Sequence, residues 1–275
     1  MELFDVLEQV RTKAPLIQCI TNFVTVNDCA NILLAAGASP TMAQDIREVE
    51  EAAEGANGLV CNLGAIDFVD SMISAGKRAN ELGVPVVLDP VAAGGTAIRR
   101  ELSAKLLKEV HFTAIRGNAS EIRALAGQAS YGSGVDVCTS DAMTEENLEK
   151  STTLVRQLAQ DLHSVIAVSG KLDIVSDGTK TAILRNGCAT MARITGSGCM
   201  LTTLIGAFCA AVPEHPFEAT CAAMAAMGVC GELAEEKRLQ NKTGNATFRT
   251  DLIDAVFNLT EQELKERIRY EVYKR

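Results

Sequence analysis

The sequence has few of the residues that mark metal-binding proteins and thiol proteases. It contains no tryptophan, only three histidines and nine cysteines without a Cys-x-x-Cys pair. Because His111, His163 and His215 lie far apart and lack ligand spacing, neither a zinc site nor a Cys–His catalytic pair is expected. Most cysteines stand in apolar segments, as Cys61 and Cys209 do, which indicates reduced, buried thiols in a cytoplasmic protein.

Excess positive charge and long apolar runs are also missing. Lysine and arginine together number 26 against 35 acidic residues, a net charge of −9. An acidic chain without a basic stripe argues against nucleic acid or an anionic membrane as a partner. No run reaches the ~18 apolar residues of a membrane span. Residues 1–10 predict an amphipathic, charged helix rather than a signal peptide.

Two nucleotide-binding motifs are absent. The Walker A pattern G-x-x-x-x-G-K-[ST] does not occur, which excludes a P-loop NTPase. No G-x-G-x-x-G follows the first apolar run, so the sequence gives little support to a dinucleotide-binding Rossmann domain.

The sequence does have a regular alternation of short apolar runs and helical segments. Its 275 residues, 47 % of them hydrophobic, suit a single domain over 1–275 with an ample core. The alternation predicts βαβ units, hence an α/β fold with a mostly parallel central sheet flanked by helices. Runs 172–176 and 179–185 are joined by Ser-Asp-Gly, which predicts a hairpin and antiparallel edge strands. We also expect a strand at 111–115, a loop at 241–247 and an exposed loop, or lid, at 127–143.

One stretch combines a glycine turn with a buried helix. Thr195–Gly198 is a turn of small residues, and the helix after it is apolar nearly all round, which is typical of a buried helix. The first N–H groups of such a helix lack intrahelical partners, and its dipole is positive there. Gly196, Ser197 and Gly198 therefore form either an anion hole or a tight turn that only packs a core helix.

Polar residues end several of the predicted strands, the edge at which parallel sheets bind ligands. Asp89 either simply ends a strand or holds Mg²⁺ through water. Asn118 and Glu121 have the spacing of a helix N-cap with its third helical residue. Glu121 can serve that cap alone, or it can join Asp89 in a magnesium–phosphate site.

Two further side chains have open alternatives. Arg116 is either a solvated strand-end residue or a clamp on a nucleotide phosphate. Cys199 lies at the start of the glycine-turn helix, where a thiol pKa is expected to be lowered. It can be a base, a nucleophile or merely a small apolar residue.

Together these residues resemble hydroxyethylthiazole kinase, a family of ribokinase-like kinases. Thr195-Gly-Ser-Gly-Cys199 is similar to the Gly-Thr-Gly-Asp anion hole of ribokinase-like enzymes, with cysteine in place of the usual aspartate base. Further motifs match in the same order along most of the chain: Gln18-Cys-Ile-Thr-Asn22, Val26-Asn-Asp-Cys-Ala-Asn31, Ser39-Pro-Thr-Met-Ala43, Asn62-Leu-Gly64, Leu88-Asp-Pro-Val-Ala-Ala-Gly94, Arg116-Gly-Asn-Ala-Ser-Glu121 and Val168-Ser-Gly170.

The resemblance implies a homotrimer that uses ATP and Mg²⁺ to phosphorylate the alcohol of 4-methyl-5-(2-hydroxyethyl)thiazole. The roles it implies are a thiazole pocket (Met42, Asn22, Gly64, Gly196), ATP contacts (Arg116, Ser169, Asn118), metal binding (Asp89, Glu121), the anion hole (Gly196 to Gly198) and a group near the hydroxyl (Cys199). Ser169 and Ser197 stand where the family commonly has threonine, and both keep a hydroxyl.

Two other functions stay open. One is another ribokinase-like enzyme, such as a pyridoxal or hydroxymethylpyrimidine kinase, although these usually have aspartate where Cys199 stands. The other is a regulatory protein that binds a nucleotide without turnover.

Overall fold

A computed structural model describes residues 1–127 and 143–274. In these residues one nine-stranded sheet runs through the molecule. In chain order the strands are β1 (Leu16–Ile20), β2 (Ser39–Thr41), β3 (Gly58–Asn62), β4 (Val86–Asp89), β5 (Ala114–Asn118), β6 (Val165–Ser169), β7 (Asp173–Ser176), β8 (Lys180–Leu184) and β9 (Tyr270–Lys274). In space their order is β2-β1-β3-β4-β5-β6-β7-β8-β9.

The sheet is parallel from β2 to β6 and antiparallel from β6 to β9. This confirms the predicted α/β class and the hairpin of antiparallel strands. Helices cover both faces: α1 (Asp5–Lys13), α2 (Val26–Ala36), α3 (Val49–Gly55), α4 (Val69–Glu81), α5 (Ala97–Glu109), α6 (Ala119–Leu125), α7 (Leu148–Leu162), α8 (Ser197–Ala211), α9 (Pro216–Asn241), α10 (Asn245–Asn258) and α11 (Glu261–Arg267).

Each face of the sheet carries its own apolar cluster. Successive residues of a strand point to opposite faces, so Val60 joins one cluster while Leu59 and Cys61 join the other. Helices α1, α2, α8, α9 and α10 pack on the first cluster, and α3 to α7 pack on the second. The parallel strands are buried on both sides, which explains why they read as continuous apolar runs.

Helix α8 crosses the first face and approaches β3 closely. A Cβ at Gly206 would lie 2.5 Å from Cγ2 of Val60, so only glycine fits at this crossing. Helix α9 beside it is the one described helix long and apolar enough to span a membrane by length and composition, but 83 % of its apolar window is buried inside the fold. Its composition is therefore that of a core helix.

The structure corrects two predicted boundaries and adds one strand. The strand expected at 111–115 is Ala114–Asn118, because pairing with β6 continues to Asn118 opposite Ser169 despite the polar residues there. The expected loop 241–247 is shorter, since α10 begins at Asn245. Strand β9 was not predicted: its charged, exposed residues hide the pattern of an edge strand. The predicted lid falls mainly on 128–142, outside the described residues.

Candidate active site

The turn before α8 brings a helix N-terminus into the protein. Gly196 is the N-cap residue, with φ of +83°, a left-handed conformation that glycine adopts without strain. A Cβ on Gly196 would lie 2.6 Å from Cγ2 of Thr25, so the loop after β1 packs directly on this turn. Among the described residues no side chain caps α8, and its first N–H groups at Ser197 and Gly198 have no intrahelical partner. The turn therefore has the geometry predicted for an anion hole.

Asp89 ends β4 beside the first turns of α8. Its side chain is 1 % exposed, and its Oδ2 accepts from Asn62 Nδ2 at 2.9 Å; the Thr202 and Cys199 side chains on that helix favour its ionised form and so lower its pKa slightly. Burial raises the pKa of Asp89 to about 6; the Arg116 charge opposes this rise, whereas Glu121 adds to it. Neighbouring strands thus bring the two predicted carboxylates close enough to influence each other, as the order of their strands indicated.

Glu121 and Asn118 form the predicted capping box at the start of α6. Asn118 Oδ1 accepts from the Glu121 amide at 2.9 Å, and Glu121 Oε2 accepts from the Asn118 amide at 2.8 Å. Glu121 Oε1 also accepts from the amide of Ala92, at 2.9 Å. The carboxylate therefore does more than cap a helix, because it ties α6 to the loop that follows Asp89.

Arg116 lies within β5, at the meeting point of β5, β6 and α8. Its Nη2 donates to Ser169 Oγ, and its Nη1 is 4.0 Å from Asp89 Oδ1. A Cβ on Gly198 would overlap Nη1, so the guanidinium lies against the glycine turn. The buried Nε finds no hydrogen-bond partner in the described parts of the chain. A buried cation with an unused donor, next to a helix N-terminus, provides two sources of attraction for an anion.

A cleft of about 610 Å³ opens from this point. Its lining includes Arg116, Ser169 and Gly198 together with Met191 from the turn before α8 and Met224 and Met227 from α9. Its volume falls in the range of small-molecule and cofactor sites. Asp173 also lines the cleft, and burial raises its pKa to about 7. A lining that combines apolar side chains with a few polar and charged groups is typical of small-molecule and cofactor sites.

The thiol of Cys199 differs from the expectation. The sequence predicted a lowered pKa at the helix N-terminus, but burial and the nearby Asp89 charge raise it to about 12. Side-chain amides donate to the sulfur from Asn62 at 3.2 Å and Asn22 at 3.6 Å. These hydrogen bonds and the helix dipole are outweighed by the loss of water around the sulfur. Cys199 is therefore a protonated thiol at neutral pH.

Of the residues expected to form a thiazole pocket, Asn22 contacts Cys199 and Gly64 directly, whereas no described contact joins Met42 to them. Asn22 follows β1, and its Oδ1 accepts from the amides of Val24 and Thr25 at 3.1 and 3.2 Å, which fixes the loop. A Cβ on Gly64 would lie 3.0 Å from Asn22 Nδ2. Asn22 thus contacts Gly64 directly and is linked to Gly196 through Thr25. Met42 follows the edge strand β2 and is half-buried against the first apolar cluster.

The sequence assigns Asn62 no role in the site, yet its side chain makes four hydrogen bonds there. It bonds Asp89, Cys199, Asn22 and the Gly64 amide. The sequence signal was present, because Asn62 ends β3 just as Asp89 ends β4. The two residues are register partners in the sheet. Thr25 and Thr202 were also missed, since nothing local distinguishes them from other core threonines.

Comparison with solved structures defines the class. The chain superposes on a pyridoxal kinase from Staphylococcus aureus in complex with pyridoxal with a TM-score of 0.57, 16 % identity and coverage of 94 % of this chain and 98 % of that one. A ribokinase-like superfamily protein from Enterococcus faecalis V583 gives a TM-score of 0.59 at 11 % identity, with coverage of 94 % and 95 %. These likenesses show that the fold is that of the ribokinase-like kinases.

Closer similarities identify the family. The profile described as "Hydroxyethylthiazole kinase family" matches residues 7–262. The hydroxyethylthiazole kinase of Clostridium acetobutylicum is 46 % identical over 269 residues, which cover 97 % of this chain and 98 % of that protein. A hydroxyethylthiazole kinase structure from Pyrococcus horikoshii OT3 has a TM-score of 0.86 at 35 % identity, with 99 % of both chains covered. The chain belongs to the hydroxyethylthiazole kinase family.

Proposed function

We propose that this protein transfers the γ-phosphoryl group of ATP to the primary alcohol of 4-methyl-5-(2-hydroxyethyl)thiazole, a reaction of thiamine salvage. The observation that carries the proposal is the position of the α8 N-terminus. It separates a cleft of nucleotide size, lined by Arg116 and Ser169, from the polar network of Asn22, Asn62 and Cys199. The family similarity over residues 7–262 supplies the identity of the acceptor.

The nucleotide side of the site is proposed to bind ATP through Arg116, Ser169 and Asn118. The guanidinium attracts the phosphates, and its unpaired Nε gains a partner when they arrive. Gly196, Ser197 and Gly198 would receive the charge that develops on the transferred group, because backbone donors at a helix N-terminus need no reorganisation. A loose transition state of this kind needs mainly positioning and charge stabilisation.

Asp89 and Glu121 are the residues proposed to hold Mg²⁺. Glu121 lies near enough to Asp89 to raise the pKa of that carboxyl, and Mg²⁺ usually binds through one or two carboxylates, several waters and the phosphates of a substrate. The ion, when bound, neutralises phosphate charge. Glu121 Oε1 and Oε2 each accept one backbone hydrogen bond and keep a second lone pair.

The acceptor alcohol is proposed to lie against Met42, Asn22, Gly64 and Gly196, with Cys199 near its hydroxyl. Since the Cys199 thiol is protonated at neutral pH, it does not act as a strong base there. We propose that its main contribution is to contact and orient the alcohol. A loose transition state tolerates this, because the alcohol proton need not leave early.

The protein is further proposed to be a single-domain, cytoplasmic homotrimer. Light scattering should report a mass three times that of the 29.2-kDa chain. A monomer at micromolar concentration would contradict this part of the proposal.

A coupled ADP-release assay tests the function. Hydroxyethylthiazole, pyridoxal and hydroxymethylpyrimidine are compared at equal concentration with Mg-ATP. We expect the thiazole alcohol to give the highest kcat/KM. Preference for either other alcohol would identify a different ribokinase-like kinase, whereas ATP binding without product from any of them would indicate a regulatory protein.

A further inference from the structure

Asn62 has every hydrogen-bonding group of its side chain in use. Its Nδ2 donates to Asp89 Oδ2 at 2.9 Å and to Cys199 Sγ at 3.2 Å. Its Oδ1 accepts from Asn22 Nδ2 at 3.2 Å and from the Gly64 amide at 2.9 Å. The residue is 1 % exposed, so water cannot replace these partners at low cost.

These contacts divide into two sides with different chemistry. The donor side of the amide faces Asp89 and Cys199, next to the phosphoryl-transfer position. The acceptor side faces Asn22 and Gly64, which are proposed to contact the alcohol substrate. A flipped amide would place Oδ1 against the Asp89 carboxylate, which only accepts hydrogen bonds, and this fixes the orientation of Asn62.

The strands do not need this side chain to stay together. Asn62 and Asp89 are already register partners, and the Leu63 amide donates to the Asp89 carbonyl at 2.9 Å. The backbone therefore aligns the ends of β3 and β4, which leaves the side chain of Asn62 to set the positions of the groups around it.

We propose that Asn62 is a positioning residue for phosphoryl transfer, which holds the Asp89 carboxylate and the Cys199 thiol at a fixed place relative to the bound alcohol. The inference rests on the proposed function, since the alcohol site is part of that proposal. Misplacement of reacting groups by about 1 Å can cost about 100-fold in rate. One amide that spans both sides is a direct way to prevent such displacement.

Asn62→Asp separates the two sides of the amide. An aspartate keeps an oxygen for Asn22 and Gly64 but has no N–H for Asp89 and Cys199. We expect kcat to fall about 100-fold, while the KM for hydroxyethylthiazole changes by less than about threefold, since Asn22 and Gly64 keep their partner. Rates are normalised to the folded fraction, measured by near-UV circular dichroism and ATP-binding stoichiometry.

Asn80→Asp is the matched control. Asn80 also uses both ends of its amide, with Oδ1 accepting from the His111 amide at 2.8 Å and Nδ2 donating to the His111 carbonyl at 2.9 Å. It lies near the end of α4, at the amino-terminal ends of the parallel strands, whereas Asn62 lies at their carboxyl ends. The same chemical change there should leave kcat and both KM values within about twofold of the parent.

Asn62→Ser is the second variant, and it removes both sides of the amide. We expect the same fall in kcat together with a rise of about tenfold in the KM for the alcohol, because Asn22 and Gly64 lose their partner. If Asn62 were purely structural, Asn62→Asp and Asn62→Ser would not differ in their effect on the KM for the alcohol. Equal kcat for Asn62→Asp and Asn80→Asp, or failure of both Asn62 variants to fold, would overturn the proposal. Absence of turnover in the parent protein would instead refute the proposed function.

Discussion

The two sides of the α8 N-terminus differ in how complete they are without a ligand. On the acceptor side, Asn22, Asn62, Asp89 and Cys199 are joined by hydrogen bonds and largely shielded from water. On the nucleotide side, a cleft of about 610 Å³ is open and the Arg116 Nε has no partner among the described residues. The comparison indicates that hydrogen bonds hold the groups of the acceptor side in place before a substrate binds. On the nucleotide side, Arg116 gains its remaining partner only when phosphate binds.

Removing the charge at the centre of the acceptor side should have the largest effect. Asp89→Asn keeps an oxygen that can accept from Asn62 but loses the carboxylate proposed to hold Mg²⁺. We expect kcat to fall about 1000-fold, within the range seen when a transition-state charge contact is lost. The coupled ADP-release assay measures kcat, and circular dichroism verifies the fold. Unfolding of the variant would mean that Asp89 is structural.

A substitution on the nucleotide side should instead raise the KM for ATP. Arg116→Gln removes the cation but retains polar atoms, and we expect the KM for ATP to rise about 30-fold, as for loss of a charged hydrogen bond. The KM for the alcohol should change less, because Arg116 reaches the acceptor side only through its 4.0 Å contact with Asp89. Arg47→Gln, at a side chain that is 85 % exposed, is the control and should leave both constants unchanged. Equal rises in both KM values would show that the sides are not separable.

Cys199 lies on the acceptor side, in the first turn of α8, and its substitution should have a moderate effect. Cys199→Ala should lower kcat about fivefold to tenfold, since a protonated thiol contributes contact and orientation rather than strong base catalysis. Cys199→Asp introduces the carboxylate that ribokinase-like enzymes usually have at this position. We expect its kcat to exceed that of Cys199→Ala and also that of the parent protein. Parent-like turnover by Cys199→Ala would remove the residue from the catalytic machinery. Single-turnover kinetics distinguish an effect on chemistry from one on product release.

The smallest expected effect concerns stability and pH. Burial raises the folded-state pKa of Asp89 to about 6, above its unfolded value of about 3.9. The folded protein therefore binds this proton more tightly, and stability is gained as the pH falls through 6 and lost as it rises. At pH 8, Asp89→Asn should increase the free energy of unfolding by no more than about 3 kcal/mol, the value of a two-unit pKa shift, with a smaller difference at pH 5. Urea unfolding at both pH values measures this difference in stability.

Activity of the parent should fall below about pH 6, where Asp89 becomes neutral.

Much of the fold was predictable because parallel strands and amphipathic helices leave strong periodic signals. Five of the six parallel strands and the hairpin of β7 and β8 appear in the sequence as short apolar runs, whereas β2 is only three residues long. Strand β9 does not, because an edge strand buries little and its side chains are free to be charged. The end of β5 was placed too early because Arg116 and Gly117 hide a strand whose pairing is decided by its neighbour β6.

Most residues of the candidate site could be predicted from the sequence, but the hydrogen bonds between them could not. Asp89 and Arg116 could be found because they lie at the carboxyl ends of neighbouring strands. The Asn62 network depends on side-chain directions at the ends of three strands, which a single sequence does not specify. The pKa of Cys199 was expected to fall and instead rises, because desolvation depends on how densely distant segments pack around the sulfur.

The packing around the sulfurs also has a chemical consequence. Each of the eight described cysteines has a pKa raised above the ordinary thiol value, with burial as the largest cause. Oxidants and alkylating agents attack the thiolate, so these sulfurs react slowly at neutral pH. The same dense environment that makes Cys199 a poor base thus protects it from irreversible damage, and a thiol can persist beside the reacting groups through many turnovers.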